Sequence, residues 1–182
     1  RLGVLAPRAE GIAQAAAAPL TVGQEEQLTP LFRIVGRGSA SSSTVAVILM
    51  WQGSIAIAEE LYYRGVVQSG LEMLLARVLR LPGPTGSFLA GLCAVAAASA
   101  IFGLVHTEFA SPADATREGS EGEFSAGHWF RVTAAYGAVY GALFALTGHR
   151  LAAPIAMHTA LNTALCIDAL NRPKREVAES SH

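Results

Sequence analysis

Residues 88–105 read FLAGLCAVAAASAIFGLV, a run of 18 residues without a charged side chain. Residues 44–58, 132–148 and 151–170 form three further stretches that are apolar and nearly free of charge. A helix needs about 20 apolar residues to cross a bilayer. None of the four stretches has a polar face at helical spacing, and a helix that is apolar all round is buried in a large core or in lipid. The sequence therefore predicts an all-α fold, a polytopic transmembrane helical bundle.

The composition of the chain agrees with this reading. It has 182 residues, of which 52% are hydrophobic and 15% charged, with a net charge of −1. The length suits one domain, and the charged fraction is well below the roughly 25% of an average protein. Disorder is excluded, and without a surplus of basic residues we expect no nucleic-acid partner. A soluble Ala-rich bundle remains the alternative, although the chain is too small to bury four such helices in water.

The remaining segments divide the chain. Residues 1–42 form an N-terminal segment that we expect to be incomplete, because the chain begins with Arg rather than Met. Residues 43–170 form the membrane core, within which the polar, acidic residues 107–127 predict an aqueous loop. Residues 65–84 predict an amphipathic helix at the interface or a short span with a charged end. Residues 171–182 are a polar tail.

The two cysteines, Cys93 and Cys166, both lie within apolar runs and form no CxxC pair. We interpret both as buried free thiols rather than as a disulfide or a pair of metal ligands.

Two acids and an arginine follow the first apolar stretch, in the sequence EELYYR at residues 59–64. Glu60 and Arg64 are four residues apart and share a helix face, with the acid N-terminal to the base, which is the favourable order. Glu59 is rotated by about 100° and lies on another face. One carboxylate can thus be neutralised while the other acts as a general base. The alternative is that these charged residues are solvated and cap the end of the helix.

Two histidines occur at similar helical spacings in later stretches. FGLVH at residues 102–106 places an aromatic ring and His106 on one face, and HTALN at residues 158–162 places His158 and Asn162 one turn apart. Ionisable groups at membrane depth are costly and point to function by default. An imidazole and a carboxamide supply donors that can stabilise an oxyanion. Each cluster alone has a structural explanation, but three together favour a site.

In the order EExxxR, FxxxH and HxxxN, these motifs resemble those of the CPBP family. This family comprises the CAAX-protease and bacteriocin-processing intramembrane proteases, including type II CAAX prenyl proteases, bacterial Abi proteins and lysostaphin-resistance proteins. The resemblance covers roughly residues 54–165, including a Gly-rich stretch at residues 137–148 that leads to the last histidine. It implies that residues 43–170 form a transmembrane protease core.

The resemblance implies catalytic roles for six motif residues, namely Glu59, Glu60, Arg64, His106, His158 and Asn162. The first glutamate and His106 would activate the attacking water. His158 and Asn162 would hold the carbonyl oxygen of the tetrahedral intermediate, and Glu60 and Arg64 would shape and neutralise the site.

The family is commonly labelled metal-dependent, which makes Glu59, His106 and His158 the candidate ligands for Zn²⁺ or another divalent metal. No HExxH or other compact zinc signature is present in the sequence. A metal-free glutamate mechanism is therefore equally open.

The resemblance implies an intramembrane endopeptidase that hydrolyses a peptide bond at the membrane, with CAAX-type processing of prenylated proteins as one form of this activity. Its partners would be membrane lipid and a protein or peptide substrate, prenylated or not. The protein would be integral to the plasma membrane in a bacterium, or to the plastid or endoplasmic reticulum membrane in a eukaryote. The alternative is a non-proteolytic membrane scaffold or regulator that retains the helical core. A change at Glu59 discriminates between the two.

Overall fold

The structure, a computed structural model, describes residues 22–36, 41–80, 83–109 and 126–171. The α-helices are α1 (Val22–Val35), α2 (Ser42–Glu60), α3 (Ser69–Leu79), α4 (Gly83–Val105), α5 (Ala126–Leu146) and α6 (Ala152–Asn171). A π-helix, Leu61–Gln68, joins α2 to α3, and a short 3₁₀ helix, His106–Phe109, extends α4. Over these ranges the structure has no strand. The predicted all-α fold class is confirmed.

Several sequence predictions concern residues that the structure does not describe. Most of the N-terminal segment (1–42), most of the aqueous loop (107–127) and nearly all of the polar tail (171–182) lie outside the described residues. At the edges of the loop, residues 107–109 and 126–127 are helical.

Two helices are long and apolar enough to cross a membrane: the continuous 38-residue helix Ser42–Leu79 and the 23-residue helix α4. Helices α5 and α6, with 21 and 20 residues, also reach the length of a span. Large apolar side chains such as Met50, Phe88 and Leu146 are exposed on the outside of the bundle. A surface of this kind is suited to lipid, where apolar exposure has no cost.

The helix Ser42–Leu79 corrects one expectation. The sequence predicts that residues 65–84 form an element separate from the first apolar stretch, which ends at Glu59 and Glu60. The structure instead continues the helix through both acids without a break. The physical reason is that Glu60 is neutralised by other buried side chains and does not need solvent, so nothing forces the helix to end there.

Helix α1 was not predicted from the sequence. Its Leu31 is buried in a small apolar cluster with Ile48 of α2 and with Cys166 and Leu170 of α6. The cluster holds α1 against one end of the bundle, where α2 packs along α6.

Close contact between α4 and α5 brings the second motif towards the bundle interior. A Cβ atom on Gly103 would lie 2.8 Å from Ala134 Cβ and 2.9 Å from the carbonyl oxygen of Phe130. A Cβ atom on Gly137 would lie 3.2 Å from Ser99 Cα. Glycine at these positions therefore permits the backbones to approach, as is common between helices in membranes.

The cysteine prediction holds only in part. Both cysteines are free, and Cys166 is buried. The expected burial of Cys93 was wrong, because Cys93 lies on an exposed face of α4. An apolar run does not show which face of a span turns inward, since the outer face of such a helix is apolar as well.

Candidate active site

The carboxylate of Glu60 lies at the centre of a buried polar cluster. Arg64 Nε donates a hydrogen bond to Glu60 Oε2 at 3.0 Å, and His158 Nδ1 donates to Glu60 Oε1 at 3.0 Å. The side chains of Glu60 and Arg64 are fully buried. Both carboxylate oxygens are therefore occupied, and the negative charge of Glu60 is compensated by the guanidinium group at the favourable spacing of four residues.

Glu59 has a different environment from its neighbour. Its side chain is 29% exposed, and its Oε2 atom lies 3.7 Å from His158 Nε2, beyond hydrogen-bond distance. It also interacts electrostatically with His106. Glu59 is thus the accessible carboxylate of the pair, with the imidazole group of His158 near it.

Three neighbours fix the ring of His158. Its Nδ1 atom is bound to Glu60, and Tyr140 of α5 stacks on the ring at a centroid distance of 4.7 Å and an angle of 18°. Phe102 of α4 meets the ring edge-on at 6.2 Å. Because a carboxylate only accepts hydrogen bonds, Nδ1 carries the proton, and the Nε2 atom faces Glu59.

His106 is oriented by its own helix. Its Nδ1 atom lies 2.7 Å from the main-chain oxygen of Phe102, and its ring packs on the Phe102 ring at 4.1 Å. A carbonyl oxygen only accepts, so Nδ1 carries the proton in this hydrogen bond, which fixes the orientation of the ring. His158 also donates from Nδ1, to Glu60. In both histidines, therefore, a hydrogen bond from Nδ1 fixes the ring.

Asn162 is less closely associated with the site. It lies on α6 one turn beyond His158 and is half-buried. Within the part of the chain that the structure describes, it makes no hydrogen bond to the other five motif residues. The structure thus groups Glu59, Glu60, Arg64, His106 and His158, and leaves Asn162 beside this group.

The fit of a metal ion can be tested on the donor atoms. Among the described residues, no three His, Cys, Asp or Glu side chains converge closely enough to hold a metal ion. Catalytic zinc sites use three protein ligands. The described side chains therefore do not provide the donor set of a resident catalytic metal.

Sequence reasoning missed two buried residues of the cluster, Gln68 and Tyr140. Gln68 accepts a long hydrogen bond of 3.5 Å from Arg64 Nη1 and donates through Nε2 to the carbonyl oxygen of Gly141 at 3.2 Å. A signal for Gln68 was present, because it follows Arg64 by four residues on the same helix face. Tyr140 had no comparable signal, since its role depends on how α5 and α6 pack together.

Another unpredicted feature is the π-helix that begins directly after Glu60. Segments of π-helix are rare and are often found at functional sites, because the wider turn changes the direction of the side chains. Here it carries Tyr63, Arg64 and Gln68 into the buried interior.

The fold and the polar cluster together define a class of protein, a helical membrane bundle with a Glu/His site among its helices. Residues 41–164 match the family model described as "Type II CAAX prenyl endopeptidase Rce1-like", and the chain belongs to this family. No curated protein and no solved structure matches the sequence. The family assignment confirms the resemblance and the prediction of a polytopic membrane bundle.

The matched region begins at the N-cap of α2 and ends within α6. It contains the six motif residues and leaves α1 outside. The family is one of CAAX-type intramembrane endopeptidases, so the chain is an integral membrane protein of a protease family.

Proposed function

We propose that this protein is an intramembrane endopeptidase in which Glu59 activates the water that attacks the peptide bond. The observation that supports this most directly is the contrast between two adjacent carboxylates. Glu60 is fully buried with both oxygens bound, whereas Glu59 is partly exposed and lies 3.7 Å from His158 Nε2. Only Glu59 has an oxygen available to receive a proton from a reacting molecule.

The proposed reaction uses Glu59 first as a base and then as an acid. Its carboxylate takes one proton from water while the water oxygen bonds to the carbonyl carbon of the substrate. His106, whose ring is held by the hydrogen bond of Nδ1 to the main chain, orients the water in this proposal. When the tetrahedral intermediate collapses, the C–N bond breaks and the proton held by Glu59 passes to the leaving nitrogen.

His158 and Asn162 stabilise the oxyanion in this proposal, since they lie one turn apart on α6. His158 acts as a donor at Nε2 when it has taken a second proton from solvent before the reaction, and the Glu60 carboxylate at Nδ1 stabilises this imidazolium, as a triad carboxylate does for its histidine. Arg64 compensates the charge of Glu60 and holds it in place. The mechanism is a metal-free glutamate mechanism.

We further propose that the substrate is a prenylated protein with a CAAX-type terminus. The description of the family supports this choice. In addition, the large side chains next to the two glutamates on the outer side of the helix, Leu61, Tyr62 and Val66, are exposed. A lipid-modified peptide can therefore approach Glu59 along an apolar surface with its prenyl group still in the bilayer.

The test is cleavage of a quenched fluorescent peptide with a farnesylated CAAX terminus by purified protein in liposomes. Glu59→Gln keeps the size of the side chain and removes the base, and we expect cleavage to fall by at least about 10²-fold. Glu72→Gln is the matched control, because Glu72 lies on the same continuous helix with its own partner, His149. If Glu59→Gln cleaves as fast as the wild type, the proposal is wrong and the scaffold alternative is favoured.

The unprenylated form of the same peptide tests the substrate separately. Under the proposal, it is cleaved at least about tenfold less efficiently in kcat/KM, because burial of an isoprenoid chain contributes binding energy. If both peptides are cleaved equally well, the proposal of an endopeptidase stands and the proposal of a prenylated substrate is wrong.

A further inference from the structure

Gln68 is a fully buried polar side chain to which the proposed mechanism gives no role. It ends the π-helix, one turn after Arg64. A buried amide is costly unless it is hydrogen-bonded, and Gln68 uses both ends of its amide. Nε2 donates to the carbonyl oxygen of Gly141 on α5, and Oε1 accepts from Arg64 Nη1.

The contact with Gly141 determines which way the amide faces. The carbonyl oxygen of Gly141 only accepts, so Nε2 must face it and Oε1 must face Arg64. The contact is close: a Cβ atom on Gly141 would lie 2.8 Å from Gln68 Oε1 and 3.3 Å from Arg64 Nη1. A glycine on α5 therefore allows the glutamine to be anchored and directed at the guanidinium group.

Arg64 needs this support because little else holds its outer nitrogens. Its Nε atom is bound to Glu60, while Nη2 is buried and, among the residues the structure describes, has no hydrogen-bond partner. Among the described residues, the guanidinium group also faces the ring of Phe102, whose centroid lies 5.7 Å from Arg64 Cζ. Gln68 is thus the polar group that fixes the position of the guanidinium relative to α5.

We propose that Gln68 is a positioning residue for the active site, acting through Arg64 on the Glu60–His158 pair. The amide suits this task because it is an uncharged acceptor. It holds Nη1 without competing with Glu60 for the positive charge, which a carboxylate at residue 68 would do. This inference rests on the proposed function.

The test compares Gln68→Met with Gln52→Met in the farnesylated-peptide assay. Methionine has a similar length and removes both hydrogen bonds. Gln52 is a matched control, since it is also buried, lies on the same continuous helix and donates to Cys166 Sγ outside the site. We expect Gln68→Met to lower kcat about tenfold with KM within about twofold, as for a change in the reacting geometry alone. Gln52→Met should keep both constants within about twofold, whatever it costs in thermal stability.

A second variant covers the case in which Gln68→Met does not fold. Gly141→Ala leaves Gln68 chemically intact but places a Cβ atom 2.8 Å from its Oε1 and 3.3 Å from Arg64 Nη1, so the contact between them must shift. This variant should also lower kcat and leave KM unchanged. If the Glu59→Gln control is inactive but Gln68→Met and Gly141→Ala both match Gln52→Met, this inference is wrong and the proposed function stands. If Glu59→Gln retains full activity, the proposed function fails and this inference fails with it.

Discussion

His158 Nδ1 lies 3.0 Å from Glu60 Oε1, although 98 residues separate them in the sequence. The other oxygen of the same carboxylate is bound to Arg64, one turn along the helix. A single buried acid thus joins the end of α2 to α6 and also holds the imidazole that faces Glu59. Stability and activity are linked at Glu60, because the carboxylate that fixes His158 also compensates the charge of the buried Arg64.

The first prediction concerns this link. In Glu60→Gln the charge of Arg64 is left buried without compensation, and breaking a buried pair in this way costs about 3–5 kcal/mol. We expect a clear fall in the thermal unfolding midpoint of the detergent-solubilised protein, together with loss of peptide cleavage. Glu72→Gln is the comparison, since its partner His149 is about half exposed and such pairs contribute at most about 1 kcal/mol. Equal midpoints for the two variants would contradict the prediction.

The second prediction concerns the stacking of Tyr140 on His158. Tyr140→Phe keeps the ring, and the hydroxyl has no hydrogen bond within the described residues, so kcat should remain within about twofold of the wild type. Tyr140→Leu removes the ring, and a loss of about 0.5–1.5 kcal/mol in ring contact predicts a two- to tenfold lower kcat. Steady-state kinetics on the farnesylated peptide distinguish them. A Tyr140→Phe variant as impaired as Tyr140→Leu would show that the hydroxyl, not the stacking, is important.

Local spacing was sufficient to predict some of this arrangement. The four-residue separation of Glu60 and Arg64 predicted a shared helix face, and the structure pairs them directly. The uncharged run at residues 88–105 predicted a membrane-length helix, and α4 contains all of it. These features depend on the geometry of a single helix, which sequence periodicity reports well.

Features that depend on contacts between helices were not predictable in this way. The hydrogen bond between His158 and the buried Glu60 carboxylate joins residues 98 positions apart, so no local spacing indicates it. The position of Cys93 on an outer face depends on which side of α4 meets α5. In a membrane protein, the lipid-facing side and the buried side of a helix are both apolar, so the sequence pattern does not distinguish them. The contact of Glu60 with His158 and the exposure of Cys93 are therefore determined by how the helices pack.

The third prediction tests the close approach of α4 and α5. Gly103→Ala would place a Cβ atom 2.8 Å from Ala134 Cβ and 2.9 Å from a main-chain oxygen, and the backbone cannot easily move. Overpacking of this kind costs about 1–3 kcal/mol. Gly70→Ala is the control, because a Cβ atom there meets nothing within 4 Å. We expect a lower unfolding midpoint for Gly103→Ala and an unchanged or higher one for Gly70→Ala. The reverse order would show that the two helices are not in contact as described.

The fourth prediction concerns metal dependence. The described residues offer no group of three metal-binding side chains. Since a catalytic zinc ion requires three protein ligands, we expect peptide cleavage to survive dialysis against EDTA and 1,10-phenanthroline, with kcat within about twofold. Elemental analysis of the same samples should show that active protein contains far less than one metal ion per chain. Activity that is lost on chelation and restored by Zn²⁺, together with loss of bound metal in a Glu59→Gln or His158→Ala variant, would instead establish a metalloprotease.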